Sequence, residues 1–225
     1  MRREILKTSD GSTTIHLPDW DESYHSKHGA IQEAQHVFIR NGLSLFEAKP
    51  VAILEIGFGT GLNAFITFLE SRQKKQPIEY VGVEAYPVAA DEVLLMNYPE
   101  QLKADDQMQV FAQMHQHPWE VPVVFETSDG TNFTLTKRKQ FFHEINDNQR
   151  FDLVYFDAFG YRVQPELWSQ EIFEKMFAAL KPGGILVTYA ARGVIKRNMM
   201  AAGFTVEKLA GPPGKREMFR ATKGR

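Results

Sequence analysis

Short apolar runs recur along the chain, with helix-length stretches of mixed character between them. Val51-Ala52-Ile53-Leu54, Tyr80-Val81-Gly82-Val83 and Phe151 to Phe156 carry so few polar residues that both faces of each must be buried, as in parallel strands covered on two sides. The spacing predicts strands near 51–55, 80–84, 133–136, 151–156, 184–189, 204–209 and 216–221. Helices are expected from Leu62 to Ser71, from Glu171 to Leu180, and ahead of the first strand from Ala30 to Arg40, where Asn41-Gly42 supplies the stop. This alternation predicts an α/β fold: a mostly parallel sheet with helices on both faces.

Punctuation sharpens the outline. Pro182-Gly183-Gly184 should end one helix and start a buried strand, and Gly211-Pro212-Pro213-Gly214 reads as a hairpin-like connection with Lys215-Arg216 at its exit. Residues 97–130 are polar and interrupted by Tyr98-Pro99 and His117-Pro118, so they read as an insertion between the second and third strands. A length of 225 residues suits one domain, 1–225, with residues 1–48 as an N-terminal extension able to fold over a ligand mouth and 49–225 as the core.

Hydrophobic content of 43% and charged content of 24% are those of a soluble globular protein. No apolar run approaches bilayer length, and Met1 to Thr8 does not resemble a secretory signal, so no membrane partner is expected. Cysteine is absent, which removes disulfides and thiolate metal sites and fits a cytoplasmic location. His115-Gln116-His117 lies in a polar stretch without a nearby acid, and a surface loop is the expected reading; no metal is expected.

The net charge of −2 hides an asymmetry: from Lys181 onward ten basic residues face only Glu207 and Glu217. Arg192 and Lys196, four apart on a predicted helix, share a face with Arg197 beside them, and Lys215-Arg216 adds a second pair. Such a segment suits a polyanionic partner, the alternative being a solvated basic face.

Candidate chemistry gathers at three strand ends. In Glu55-Ile56-Gly57-Phe58-Gly59-Thr60-Gly61 the strand delivers the chain to the carboxyl edge of the sheet. There glycines permit a tight turn and close approach to a ligand. A dinucleotide fingerprint would put its third glycine where Leu62 stands, so a nicotinamide or flavin site fits poorly. Glu84 ends the second strand, where an acid in a doubly wound fold accepts from ribose hydroxyls. Asp157 ends a central strand at the same edge, with Phe159 two residues on, and is the candidate on the substrate side; capping the following turn is its alternative use.

The glycine spacing resembles motif I of class I S-adenosylmethionine (SAM) methyltransferases, which implies a Rossmann-like, seven-stranded, mostly parallel sheet whose last strand inserts antiparallel. SAM would be the cofactor, held by Glu55, Gly57, Gly59, Gly61 and Glu84. More of the chain resembles the methyltransferase domain of the MnmC type. The matching stretches are Asp21-Glu22-Ser23-Tyr24-His25-Ser26 with Glu33 and Val37-Phe38-Ile39, Leu54 to Asn63, Phe156-Asp157-Ala158-Phe159 through Pro165-Glu166-Leu167-Trp168, and Ala201-Ala202-Gly203-Phe204 with Gly214-Lys215-Arg216-Glu217-Met218. That resemblance implies N-methylation of the 5-aminomethyl group of the tRNA wobble (2-thio)uridine. Asp157 would be catalytic, and Phe159, Arg192, Lys196, Arg197, Lys215 and Arg216 would meet substrate or tRNA. Bifunctional members continue into a flavin-dependent oxidase while this sequence stops at Arg225, so a separate enzyme is expected to supply the aminomethyl nucleoside. The family's Gly-Asp after the third strand is missing, since Leu135-Thr136-Lys137-Arg138-Lys139 stands there, and this leaves the adenine contact unassigned.

Two other functions remain open at this level. An aminopropyltransferase-like enzyme would use a polyamine and want an acidic approach to its site, and a non-catalytic RNA-binding protein would keep the basic face and transfer nothing.

Overall fold

A computed structural model describes residues 2–46, 49–126 and 130–224. The boundary expected at 48/49 touches residues outside those described. Eight strands form the main sheet: β4 (Val51–Ile56), β5 (Ile78–Val83), β6 (Val123–Glu126), β7 (Asn132–Arg138), β8 (Phe151–Phe156), β9 (Leu180–Thr188), β10 (Thr205–Ala210) and β11 (Glu217–Thr222). Their order is β10-β11-β9-β8-β4-β5-β7-β6, with a smaller sheet of β1 (Glu4–Lys7), β2 (Thr13–Leu17) and β3 (Glu22–Ser23) beside it. This is a Rossmann-like α/β fold, with one strand more than the seven expected.

Period-two alternation explains the two faces. Val51 and Ile53 of β4, Ile78 and Tyr80 of β5, and Leu153 and Tyr155 of β8 enter one core, packed with Phe65 and Phe68 of α2 (Leu62–Lys74). Leu54, Ile56, Val81, Val83, Val154 and Phe156 enter the other. There they meet α6 (Gln170–Ala179) and α7 (Gly193–Ala201) through Phe173, Met176, Ile195 and Met199. The same parity sends Glu55, and Asp157 just beyond β8, to the face covered by α2.

Several expectations change in detail. The stretch read as a polar insertion follows a short helix, α3 (Ala90–Val93), and holds α4 (Tyr98–Gln101), α5 (Met108–Gln116) and β6, an antiparallel edge strand on β7; its residues 127–129 lie outside those described. The helix expected over Ala30 to Arg40 is α1 (Ala30–Ala34) followed by a π-helical turn, Gln35–Arg40, that buries Val37, Phe38 and Ile39 in succession. Lys181 to Gly184 does not end a helix; it forms an excursion within β9, where Leu180 pairs with Phe151 and Ile185 already pairs with Leu153. Strand β11 runs antiparallel between β10 and β9, so its first residues, and the 211–216 connection before them, lie at the carboxyl edge of the parallel strands.

Candidate functional site

Strands β4 and β8 are neighbours, with β5 beyond β4 and β9 beyond β8, so their carboxyl ends meet where the strand order reverses, the place where open α/β sheets bind ligands. Gly57 follows β4 with φ +91°, and a Cβ there would stand 2.7 Å from the main-chain oxygen of Asp157. The Asp157 amide donates in turn to Ile56 O at 2.9 Å. The two strand ends are therefore locked together by a contact only glycine permits.

A cavity of about 640 Å³ opens over this junction, within the roughly 300–1,000 Å³ typical of small-molecule sites. Gly57, Gly59, Glu84, Asp157 and Phe159 all line it; Glu55 and Gly61 do not. Glu84 Oε2 accepts from the Gly59 amide at 3.1 Å and Oε1 from the Tyr86 amide at 2.9 Å, which leaves each oxygen a further lone pair. Burial pushes the Glu84 carboxyl above its usual range, against the pull of those amides.

Glu55 sits beneath the cavity, 1% exposed, and accepts from Asn63 Nδ2 at 2.9 Å. The same nitrogen donates to Asp157 Oδ2 at 2.8 Å. One amide in the first turn of α2 thus serves two buried carboxylates. Burial pushes Glu55 well above the carboxylate range, with Asp157 adding to the shift. Asp157 is pushed up to about 7 by burial and by Glu33, against the opposing pulls of Asn63 and Lys215. At neutral pH it therefore exchanges a proton readily, which an ordinary surface aspartate does not.

The substrate side is aromatic. Phe159 meets Tyr24 edge-on at 4.9 Å and Trp20 at 5.8 Å, all three lining the cavity. Tyr161, two residues beyond Phe159, does not line it and instead lies under the Arg192 guanidinium at 5.8 Å. Tyr189 does line it, with its hydroxyl donating to Ala158 O at 2.8 Å.

Several contributors escaped the sequence reading. Arg3, Leu17, Trp20, Ser23, Tyr24 and His25 bring the N-terminal segment to the cavity lining. His25 Nε2 lies 2.7 Å from Thr60 Oγ1, which also accepts from Tyr98 at 3.0 Å. His115 is on α5 and not in a surface loop; its Nε2 reaches Thr60 O at 3.1 Å, and burial pushes both histidines down to about 4. The glycine loop is thus buttressed from two sides by neutral imidazoles. Phe141, Phe142 and His143, past β7, also line the cavity. The exposed Tyr86 ring stands 5.9 Å from Phe141, which stacks on His143, in the region where the adenine contact was left unassigned.

The basic C-terminal segment divides in two. Lys181 pairs with Asp152, Lys208 with Glu217, Arg220 with Glu207 and Lys215 with Glu33, and Lys223 donates to the carbonyls of Phe177 and Leu180. Among the described residues Arg192, Lys196, Arg197 and Arg216 make no ion pair, and Arg192, Arg197 and Arg216 are exposed. None of the five candidate basic residues lines the cavity. Arg192 starts α7 three positions after Tyr189, and Arg216 precedes β11, so both flank the cavity's edge of the sheet. Among the described residues there is no group of three potential metal ligands, and no helix is long and apolar enough to cross a membrane.

Comparison with known proteins agrees with this geometry. A family described as S-adenosyl-L-methionine-dependent methyltransferase matches residues 103–224. Among solved structures, MnmC2 from Aquifex aeolicus is 24% identical over all of this chain and 71% of its own, with a TM-score of 0.74. A spermidine synthase solved with the transition-state analogue AdoDATO is 13% identical over 99% of this chain and 70% of its own, TM-score 0.60. A methyltransferase from Pyrococcus furiosus is 19% identical over 93% and 91%, TM-score 0.52.

Proposed function

Because the chain belongs to the S-adenosyl-L-methionine-dependent methyltransferases, we propose that it methylates the 5-aminomethyl nitrogen of the tRNA wobble (2-thio)uridine. The observation that carries this reading is the shared cavity of Asp157 and the glycine loop. The likeness to MnmC2, the aromatic wall around Phe159 and the unpaired cations Arg192, Lys196, Arg197 and Arg216 support it. On this reading residues 1–225 work as one cytoplasmic domain, with a separate enzyme supplying the aminomethyl nucleoside.

The residues present fit SAM: a glycine turn that leaves room above it, an acid at Glu84 with spare lone pairs for two hydroxyls, and aromatic rings at Tyr86 and Phe141 for a purine. Bound there, the cofactor supplies an electrophilic methyl group on sulfonium. Gly57 and Gly59 would shape the cradle; Gly61 starts α2 at φ +72°, and Glu55 acts from below through Asn63.

For the chain's own residues the problem is the acceptor's proton. An alkylamine has a reference pKa of about 10.4 and enters as ammonium, which cannot attack. Moving its proton to an ordinary aspartate costs about 9 kcal/mol, whereas to a carboxylate near 7 the gap is about 5 kcal/mol. Desolvation of the ammonium between Phe159, Trp20 and Tyr189 lowers the gap further. Asp157 then orients the nitrogen, receives its proton, and leaves the lone pair facing the methyl group, with water excluded by the aromatic wall.

The aminopropyltransferase alternative draws support from the spermidine synthase likeness, but Arg192 and Arg216, at the carboxyl edge of the sheet and without an ion pair among the described residues, oppose the approach of a polyamine. Nucleoside mass spectrometry of tRNA from cells lacking the protein tests the proposal. Accumulation of the unmethylated aminomethyl nucleoside supports it, and normal tRNA together with label transfer to putrescine from decarboxylated SAM overturns it.

A further inference from the structure

We propose that Lys215 and Glu33 form a positioning pair that sets the charge state of Asp157 for the transfer, and that Lys215 does not serve as a tRNA contact. The inference deepens the reading above and rests on it, since it gives the Asp157 carboxylate the task of meeting the amine.

Lys215 Nζ lies 2.5 Å from Glu33 Oε2 and 3.7 Å from the centroid of the Tyr189 ring. Glu33 is 5% exposed, so the ammonium is directed inward between a buried carboxylate and an aromatic face that lines the cavity. The contact joins α1 to the turn before β11 across 182 positions of sequence. Ion pairs of this half-buried kind, with the Lys215 side chain 31% exposed, add little net stability because desolvation and screening offset much of the attraction, so this one calls for a functional reason.

The charges around Asp157 supply that reason. Glu33 of α1 and Lys215 of the 211–216 connection act on its proton affinity in opposite directions, the carboxylate raising it and the ammonium lowering it. Glu55 faces it from β4 across Asn63, and Tyr80 of β5 and Tyr189 past β9 also feel its charge, but burial raises the proton affinity of all three and so disfavours their charged forms. Lys215 and Glu33 are therefore the charged pair whose balance Asp157 senses. Without the ammonium, Glu33 would be left anionic beside Asp157, which would keep its proton to higher pH. Without the Glu33 charge, the freed ammonium would hold Asp157 ionised and compete with the amine for it.

The test is a charge cycle read by the pH dependence of kcat and by the carboxyl 13C shift of Asp157, the second needing no substrate. Lys215→Met should move the acidic limb and the Asp157 titration up by about one pH unit, and Glu33→Gln should move both down by a similar amount. Lys215→Arg, and the double variant Lys215→Met/Glu33→Gln, should restore them nearly to the parent. If Lys215→Met does not fold, Glu33→Gln and the double variant still carry the comparison. A Lys215→Met protein with both titrations unmoved but a raised KM for tRNA and a shallower salt dependence overturns the inference in favour of a tRNA contact. Shifted 13C titrations in a protein that methylates no tRNA would leave the pair standing and sink the substrate assignment instead.

Discussion

Asn63, in the first turn of α2, donates to Asp157 at the end of β8 across 2.8 Å. Its other amide hydrogen goes to Glu55, so a single side chain sets the direction of the candidate catalytic carboxylate and satisfies the acid beneath it. Asn63→Ala removes both bonds at once. Leaving such buried acceptors without a donor costs about 1–3 kcal/mol in stability. Turnover should fall at least about tenfold, by loss of orientation, while SAM affinity changes little. Denaturant melts and single-turnover kinetics on the same preparation check both halves.

Asp157→Asn should separate stability from activity. The carboxyl is pushed up to about 7 in the folded protein from an ordinary 3.8, so its contribution to stability is full below the unfolded value and is lost as pH rises through 7. The amide mimics the protonated form. The variant should therefore match the parent near pH 4 and exceed it by a few kcal/mol at pH 8, while methyl transfer is abolished. Equal stabilities at both pH values would remove the raised proton affinity from the account.

Gly57→Ala should damage the cofactor cradle by backbone conflict alone. With φ at +91° and Asp157 O 2.7 Å from the new Cβ, the strand ends must part, at a cost of about 1–3 kcal/mol. Isothermal titration should find SAM binding at least about tenfold weaker. A folded Gly57→Ala protein with parental affinity would show that the loop does not form the cradle.

Arg192→Ala, Lys196→Ala and Arg197→Ala together should weaken tRNA binding and flatten the plot of log K against log salt, by about 0.7–0.9 for each phosphate that is no longer neutralised. SAM affinity should stay at the parent value, since none of the three lines the cavity. Parallel salt plots for parent and variant would move the RNA surface elsewhere.

The central strands were legible because burial on both faces writes itself into the sequence: β4, β5 and β8 alternate between two apolar cores, and Glu55 within β4 and Asp157 just past β8 stand out for that reason. The edge was less so. β6 is paired on one side and exposes Val124, and β1 to β3 are too short for a period to show, so neither small sheet nor eighth strand was read. Long-range contacts were unreadable in principle. Nothing near His115 announces that its ring will reach Thr60, nor near Lys215 that Glu33 will take up its charge. Phe141, Phe142 and His143 follow a β7 lacking the expected Gly-Asp, and only the fold shows them lining the cavity. Asn63 was visible in the matching stretch, but its two acceptors come from strands separated by about a hundred residues of chain.

On the proposed reading, a methyl donor over the glycine loop and an amine beside Asp157 share one cavity. The most direct measurement is methyl transfer from labelled SAM to tRNA bearing 5-aminomethyl-2-thiouridine, followed by nucleoside analysis, with Asp157→Ala alongside. Label should enter the wobble nucleoside alone with the parent, and no nucleoside with Asp157→Ala despite retained SAM binding. Label in any other nucleoside, or full transfer by Asp157→Ala, would contradict it.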